Sequence, residues 1–462
     1  MFDLLIGVTA VVLAGGTVLA YRSSRDVLHP LLFLGPLFFY GCVIDPWLLR
    51  DQLGRFFPYP GDLHLVVFLN LACVAALVWG ALGHTSLQRR RPGRTIDKTR
   101  PTLREQERVN LRWIASVLAA IGIIAYAYGI LNVGGFVAAF SRAKGGGRAA
   151  SGYIGEAMNL GLVGAIMAAL SQYRRGWTPS RLLTFVLGLT PNIVQGTFGG
   201  RRGPLFLALA TTLLAWAIVR PKPPKLAHVA GSFLGILLGV ALVASQRQHF
   251  YLGSPDAELK WDEFEALVTQ SDANRGNSFI YGSAFVLATY HSGQYTWGRE
   301  MAVNLFVRPI PRQLWPTKYE DVGAEWVTSE YPGLGALSER DWLTAVGWLP
   351  LQGSSASCVS DLFGDFGWGA IGVLFLVGRG FAILRYRSRA RGGLWALLYA
   401  EGLILTIYLA TQSFSAFYHR YLILAVPTII AWKYFVERKR RVTGVPRARR
   451  VGEGAYSPAA MR

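Results

Sequence analysis

The chain has 462 residues, 52% of them hydrophobic and only 16% charged, with a formal net charge of +20. A soluble domain usually carries nearer a quarter charged residues, so a string of soluble domains is excluded. So basic a chain invites a nucleic-acid partner, but its Lys and Arg fall mainly in short segments between alternate apolar runs, which argues against one.

Taken in chain order, apolar runs occupy residues 2–21, 27–49, 63–83, 111–131, 153–171, 182–197, 204–219 and 226–245. Three more occupy residues 366–384, 394–412 and 418–436. Each approaches the length needed to cross a hydrocarbon core of about 30 Å. Backbone polar groups inside lipid must be paired within the segment, so the runs should be helices. The expected fold is an all-α polytopic membrane protein with about 11 transmembrane helices. The long interruption between the eighth and ninth runs is the large extracytoplasmic loop of this reading. The expected division is 1–245 for helices one to eight and 246–365 for the loop. Residues 366–436 hold helices nine to eleven, and 437–462 form a basic cytoplasmic tail.

Charge sets the orientation. Arg89, Arg90, Arg91, Arg94, Lys98, Arg100, Arg104 and Arg108 sit in one connection. Arg174, Arg175 and Arg181 mark the next on that side, followed by Arg220, Lys222 and Lys225, then Arg385, Arg387, Arg389 and Arg391. These segments alternate with the spans, so they are expected on the cytoplasmic side, with the N-terminus outside and the C-terminus inside. The first apolar run has no basic residue before it, which reads as an uncleaved helix rather than a secretory signal. Cys42, Cys73 and Cys358 are too few and too scattered for a disulfide framework or a metal site, and the first two, inside apolar runs, are expected in the core.

The loop holds Trp261, Trp297, Trp315, Trp326, Trp342 and Trp348. Such residues form aromatic belts at membrane surfaces. Their faces also suit the C–H face of a sugar ring, and Trp315 and Trp297 are the candidate sugar contacts. Two apolar stretches, 279–290 and 301–307, are too short to span and should lie at the interface or dip into the protein.

Cations on the outer side depart from the orientation rule and need a reason. Gly199-Gly200-Arg201-Arg202-Gly203-Pro204 puts two arginines in a tight turn before a helix start. A helix N-terminus adds free N–H groups and positive potential, and arginine offers planar paired donors, so the turn suits a diphosphate. A lipid-headgroup anchor is the plainer role. In the loop, Arg308-Pro309-Ile310-Pro311-Arg312-Gln313-Leu314-Trp315-Pro316-Thr317-Lys318 is too rich in proline for ordinary helix. It presents two arginines, Arg308 and Arg312, and Lys318 beside Trp315. Asp361 or Asp365 offers a base toward a sugar hydroxyl, or else an ion-pair partner. His419 and Arg420 are expected to open the last span, and Arg247 and His249 to end the eighth. The candidate set is therefore Asp361 and His419 for proton transfer. Arg201, Arg202, Arg312, Lys318, Arg247 and Arg420 are the candidates for diphosphate binding. No phosphate-binding loop, HExxH or CxxC motif occurs in the sequence.

Three pieces in order resemble the oligosaccharide repeat-unit polymerases, the O-antigen polymerase family of bacterial envelopes. Tyr295-Thr296-Trp297-Gly298 leads to Ile310-Pro311-Arg312-Gln313-Leu314-Trp315-Pro316-Thr317-Lys318. Ser354-Ser355 then precedes Asp361 and Gly364-Asp365-Phe366-Gly367-Trp368-Gly369, and upstream Arg202-Gly203 resembles the family's outer arginine–glycine turn. Two positions depart from the family pattern: Asp361 stands where Glu is frequent, and Tyr319 where proline is. The resemblance implies a glycosyltransferase in the bacterial cytoplasmic membrane. It would move a glycan from an undecaprenyl diphosphate carrier to the terminal sugar of another lipid-linked repeat unit. No cofactor or metal is expected. Membrane lipid, a chain-length regulator and a flippase are the expected partners, and no nucleic acid. The alternatives are a ligase that moves the glycan to a lipid acceptor, and a flippase or other transporter of the lipid-linked oligosaccharide.

Overall fold

The computed structural model describes residues 1–57, 59–89, 105–142, 145, 153–173, 175–220, 222, 224–246, 249, 251–254, 259–269, 273–274, 276–328, 332–351 and 354–437. Among them every regular element is helical and no strand occurs. Nine helices among the described residues are long and apolar enough to cross a membrane by length and composition. The protein is therefore a helical, polytopic membrane protein.

The long helices are α1 (Phe2–Ser24), α2 (Pro30–Leu49), α3 (Pro60–Arg89), α4 (Glu105–Leu131), α5 (Ala157–Ser171), α6 (Pro179–Thr197), α7 (Arg202–Val219) and α8 (Leu226–Ser245). Within the long connection lies α9 (Ser278–Ser292), and after it come α10 (Cys358–Phe366), α11 (Ala370–Arg391), α12 (Leu394–Ile404) and α13 (Phe414–Ala431). Helix α5 is apolar but shorter than the nine, and Gly161–Ser171 within it is buried on every side. It packs between α4, α6 and α7.

Small residues set how closely the helices approach. Without water to drive association, membrane helices gain most from close packing, and glycine lets backbones touch. At the α3–α11 crossing, a Cβ on Gly80 would land on the Phe375 carbonyl oxygen, and one on Gly378 would land on that of Leu77. The two glycines make the contact reciprocal. Trp79 and Phe375 flank it, edge to face at 5.4 Å.

Proline sets the irregularities. Pro36 lies inside α2 and is followed by a π-helical turn at Tyr40–Ile44. Pro427 lies inside α13 and is followed by another at Trp432–Glu437. A proline removes one backbone donor, and the wider turn is one way the ladder recovers.

Sequence and structure differ at several boundaries. The last long helix begins at Phe414, about one turn before the expected start, because the Ser413 hydroxyl accepts from the Ala416 N–H at 3.0 Å. His419 and Arg420 therefore sit more than a turn inside the helix rather than opening it. The ninth run is preceded by a separate helix, α10, and the chain bends at Gly367 with a φ of 55°. The tenth run breaks near Leu405 into α12 and a short helix, Thr406–Thr411.

Among its described residues, the connection from Gln246 to α10 carries several short helices. Its apolar stretch 279–290 forms α9, which Asn277 caps by accepting from the N–H groups of Phe279 and Ile280. All of Phe279–Thr289 is buried, so this helix is embedded in protein rather than lying on its surface. Tyr281 stacks on Trp342, whose side chain is fully buried, and the Trp348 indole donates to the Phe56 carbonyl at 3.0 Å. Those two tryptophans are core residues. All three cysteines are buried and unpaired.

Candidate functional site

Several charged side chains gather where α7 and α13 begin and the long connection folds back. Arg202 is the first residue of α7, with Arg201 as its N-cap, and both are exposed. Gly203 follows because Tyr408 lies against the backbone: a Cβ there would come within 2.7 Å of its hydroxyl. Tyr408 is buried, and the Arg420 guanidinium lies over its ring at 4.2 Å. Arg420 is one helical turn past Ala416, whose carbonyl it bonds at 3.1 Å. Its other end nitrogen lies 3.8 Å from Glu156, which also accepts from Asn159 at 2.8 Å.

His419 adjoins the same group. Glu156, Arg420 and Arg308 all act on it electrostatically, and its Nε2 is buried without a hydrogen-bond partner. Arg308 reaches the group from the long connection and donates to Asn304 at 3.3 Å. Behind it stands Glu300, with Asp361 and Asp365 within electrostatic range. Burial pushes the Glu300 carboxyl up to about 8; the two aspartates add to that and Arg308 opposes it.

Asp361 has a defined job in this arrangement. It is buried, and one carboxylate oxygen accepts from both the backbone N–H of Ser415 at 2.9 Å and its hydroxyl at 3.2 Å. A carboxylate there satisfies orphan donors at the start of α13 and complements the helix dipole. Asp365 accepts from the Thr296 hydroxyl and from the N–H groups of Gly298 and Glu300, while its second oxygen is buried without a partner. The two aspartates thus tie α10 to α13 and to the Tyr295–Gly298 turn.

The proline-rich segment forms its own small unit. Val303, Val307 and Ala324 make a satellite core, covered by Trp315, Tyr319, Val322, Trp326 and Val327. Lys318, expected as a diphosphate ligand, is instead buried, and its ammonium donates to the carbonyls of Val307 and Arg308, each at 3.0 Å, and of Ile310. All three of its protons are therefore engaged. Trp315, expected to face a sugar, donates its indole N–H to Asp321 at 2.6 Å and packs on this unit. Arg312 is exposed, with its guanidinium 5.5 Å from the Tyr319 ring centre. Trp297 is the exposed member of the expected sugar contacts, at 73% of its surface, and has a positive φ of 51°. Its N–H bonds the Asp365 carbonyl at 2.8 Å. Arg247 lies outside the described residues.

Of the expected residues, Arg420 and His419 thus come together, and Arg202 starts the helix whose Gly203 lies against Tyr408 and acts electrostatically on Tyr40. Arg312, Trp315 and Lys318 belong to the adjoining unit. Sequence reasoning missed Glu300, Glu156 and Tyr408 as neighbours of this group. Of the two arginines in the proline-rich motif, Arg308 faces this group and Arg312 lies by Tyr319. Glu156 and Tyr408 carry no local signal, being single polar residues at the ends of apolar runs.

Comparison with known proteins assigns the chain to no family: no protein-family model, curated protein or solved structure matches it.

Proposed function

We propose that the protein polymerises oligosaccharide repeat units carried on undecaprenyl diphosphate, at the outer face of a bacterial cytoplasmic membrane. In this reading about 11 helices span the bilayer. The connection 246–365 lies outside, the N-terminus is outside and the C-terminus inside. The observation that carries the proposal is that Arg420, His419 and Arg308 meet beside Tyr408, against which the Arg202–Gly203 helix start packs, so that three separate parts of the chain converge.

The chemistry follows from those groups. The acceptor sugar's hydroxyl oxygen attacks the anomeric carbon of the donor glycan. The bond from that carbon to the diphosphate oxygen breaks, and its electron pair leaves with the diphosphate. Fixed guanidiniums in a site of low dielectric stabilise that developing charge. The hydroxyl proton passes to a base within hydrogen-bond reach. His419 suits this better than Asp361, because its Nε2 has no partner whereas Asp361 is held by Ser415. Trp297 offers an exposed ring to a sugar.

The test is complementation of a deletion strain, scored by the length of the surface glycan. Arg202→Ala and Arg420→Ala, expressed and inserted at wild-type levels, should each lower polymer output by about 100-fold. Full-length glycan from both variants would sink the proposal. A deletion that leaves single repeat units on the outer surface supports polymerisation. Lipid-linked units stranded on the cytoplasmic face would mean a flippase, and full-length glycan still on its lipid carrier would mean a ligase.

A further inference from the structure

At the opposite end of the bundle lies a cavity of about 170 Å³ between α5, α7 and α12. Its floor is apolar and buried, made by Ile166, Leu170, Leu214, Leu397 and Leu403. Its lip is charged. Asp26 accepts from Arg385 Nε and from Arg389 Nη2, both at 2.8 Å on the same oxygen. Its other oxygen accepts from the Leu28 N–H at 3.2 Å. One carboxylate faces two guanidiniums, so the lip keeps a net positive charge. Burial opposes ionisation of Asp26, but the two arginines outweigh it and hold its carboxyl below the usual range.

A third feature meets these two. Helix α12 starts at the lip, and its N-cap, Gly393, supplies no side-chain cap. The N–H groups of Trp395 and Ala396 already bond the Gly392 and Gly393 carbonyls at 3.2 and 3.0 Å, so the helix start offers an anion its positive dipole end rather than a set of free donors. Gly393 has a φ of 54°, and a Cβ there would come within 2.7 Å of the Trp432 ring, so no capping serine or aspartate can take its place. Gly393 and Ala396 are half-exposed, so the slot opens sideways through them.

The geometry points to a binding site for an anionic phospholipid. Its phosphate would sit by Arg389 and the start of α12, and one acyl chain would enter the slot. Charge and shape select this occupant together. A free anion would leave the apolar floor unfilled, and a neutral lipid would bring no negative charge to the two guanidiniums. The cavity is of the size that takes a small apolar group, on the order of 150 Å³, so it would hold a short run of one chain and not a whole lipid. Basic pockets between membrane helices bind anionic headgroups in this way. The site is independent of the proposed reaction, which lies at the other end of the bundle.

The experiment is native mass spectrometry of the purified full-length chain after exchange into equal amounts of phosphatidylglycerol and phosphatidylcholine. Wild type should retain phosphatidylglycerol at least about fivefold over phosphatidylcholine. Arg389→Gln should remove the preference, and Ala396→Trp, which narrows the entrance, should remove retention of both. Equal retention of the two lipids by wild type, or an unchanged preference in both variants, overturns the inference. So does displacement of the lipid by inorganic phosphate at equal concentration, or retention of an isoprenoid diphosphate in place of phosphatidylglycerol. A photoactivatable phosphatidylglycerol on the wild-type chain gives a readout that no variant's folding affects. Labelling within 394–403 or 214–218 is expected, and labelling confined to other segments overturns the inference.

Discussion

Lys318 shows how far a residue's role can depart from what its charge suggests. A lysine beside arginines and a tryptophan reads as part of an anion site. Its ammonium instead closes three carbonyls at the end of the Val303–Val307 turn. Lys318→Ala would leave those buried acceptors bare, at a cost of about 2–4 kcal/mol to this small unit. Hydrogen exchange should show amide protection lost across 303–321 while α3 and α11 keep theirs. Lys318→Arg should not rescue it, since a planar fork cannot reach three converging carbonyls as an ammonium does. Glu300 makes a prediction of a different kind. Its carboxyl titrates near 4.5 unfolded and about 8 folded. Between those values the folded state binds the extra proton, so its contribution to stability is present at low pH and is lost as pH rises through about 8. Glu300→Gln should match the wild-type melting temperature at about pH 5 and exceed it at about pH 9. A gap that stays constant across that range would rule this out.

At the scale of elements, hydropathy located most of the helices and local chemistry refined their ends. The Ser413 cap is written in the sequence just before the last apolar run, yet the run itself begins later, so the helix start was placed too late. The break at Leu405 has no such signal, because neither proline nor glycine adjoins it. The embedded position of α9 was legible only as two options, since a 15-residue apolar helix fits an interface or a core equally well. Its burial depends on Trp342 and on α10, which lie more than 50 residues further along. Close approach of α3 and α11 was likewise invisible, because glycines are scattered through almost every run. It yields a paired test. Gly378→Leu should destabilise the bundle by about 3 kcal/mol or more, because the backbone of α3 leaves no room. Gly7→Leu, where nothing lies within 4 Å, should leave the melting temperature unchanged. Equal behaviour of the two would contradict the packing described.

At the scale of the molecule, the basic segments make a prediction about sidedness. Trp297→Cys, at an exposed position of the long connection, should react with an impermeant maleimide in intact cells. Lys222→Cys, exposed between α7 and α8, should react only after permeabilisation. The native cysteines are buried and should stay silent. The opposite pattern would invert the proposed orientation and move the Arg202–Arg420 group to the cytoplasmic side.

The amino-acid sequence alone determined the class of this protein. Apolar runs of membrane length are a local property of consecutive residues, and the helix is the form in which such a run pairs its own backbone in lipid. The gathering of Arg420, Arg308, Glu156 and His419 was decided only by the tertiary structure. So was the spending of Asp361 and Lys318 on helix ends. A charged residue's role depends on which donors and acceptors reach it, and here those partners come from segments more than 100 residues apart, as with Arg420 and Glu156, or from carbonyls that only a folded turn brings together.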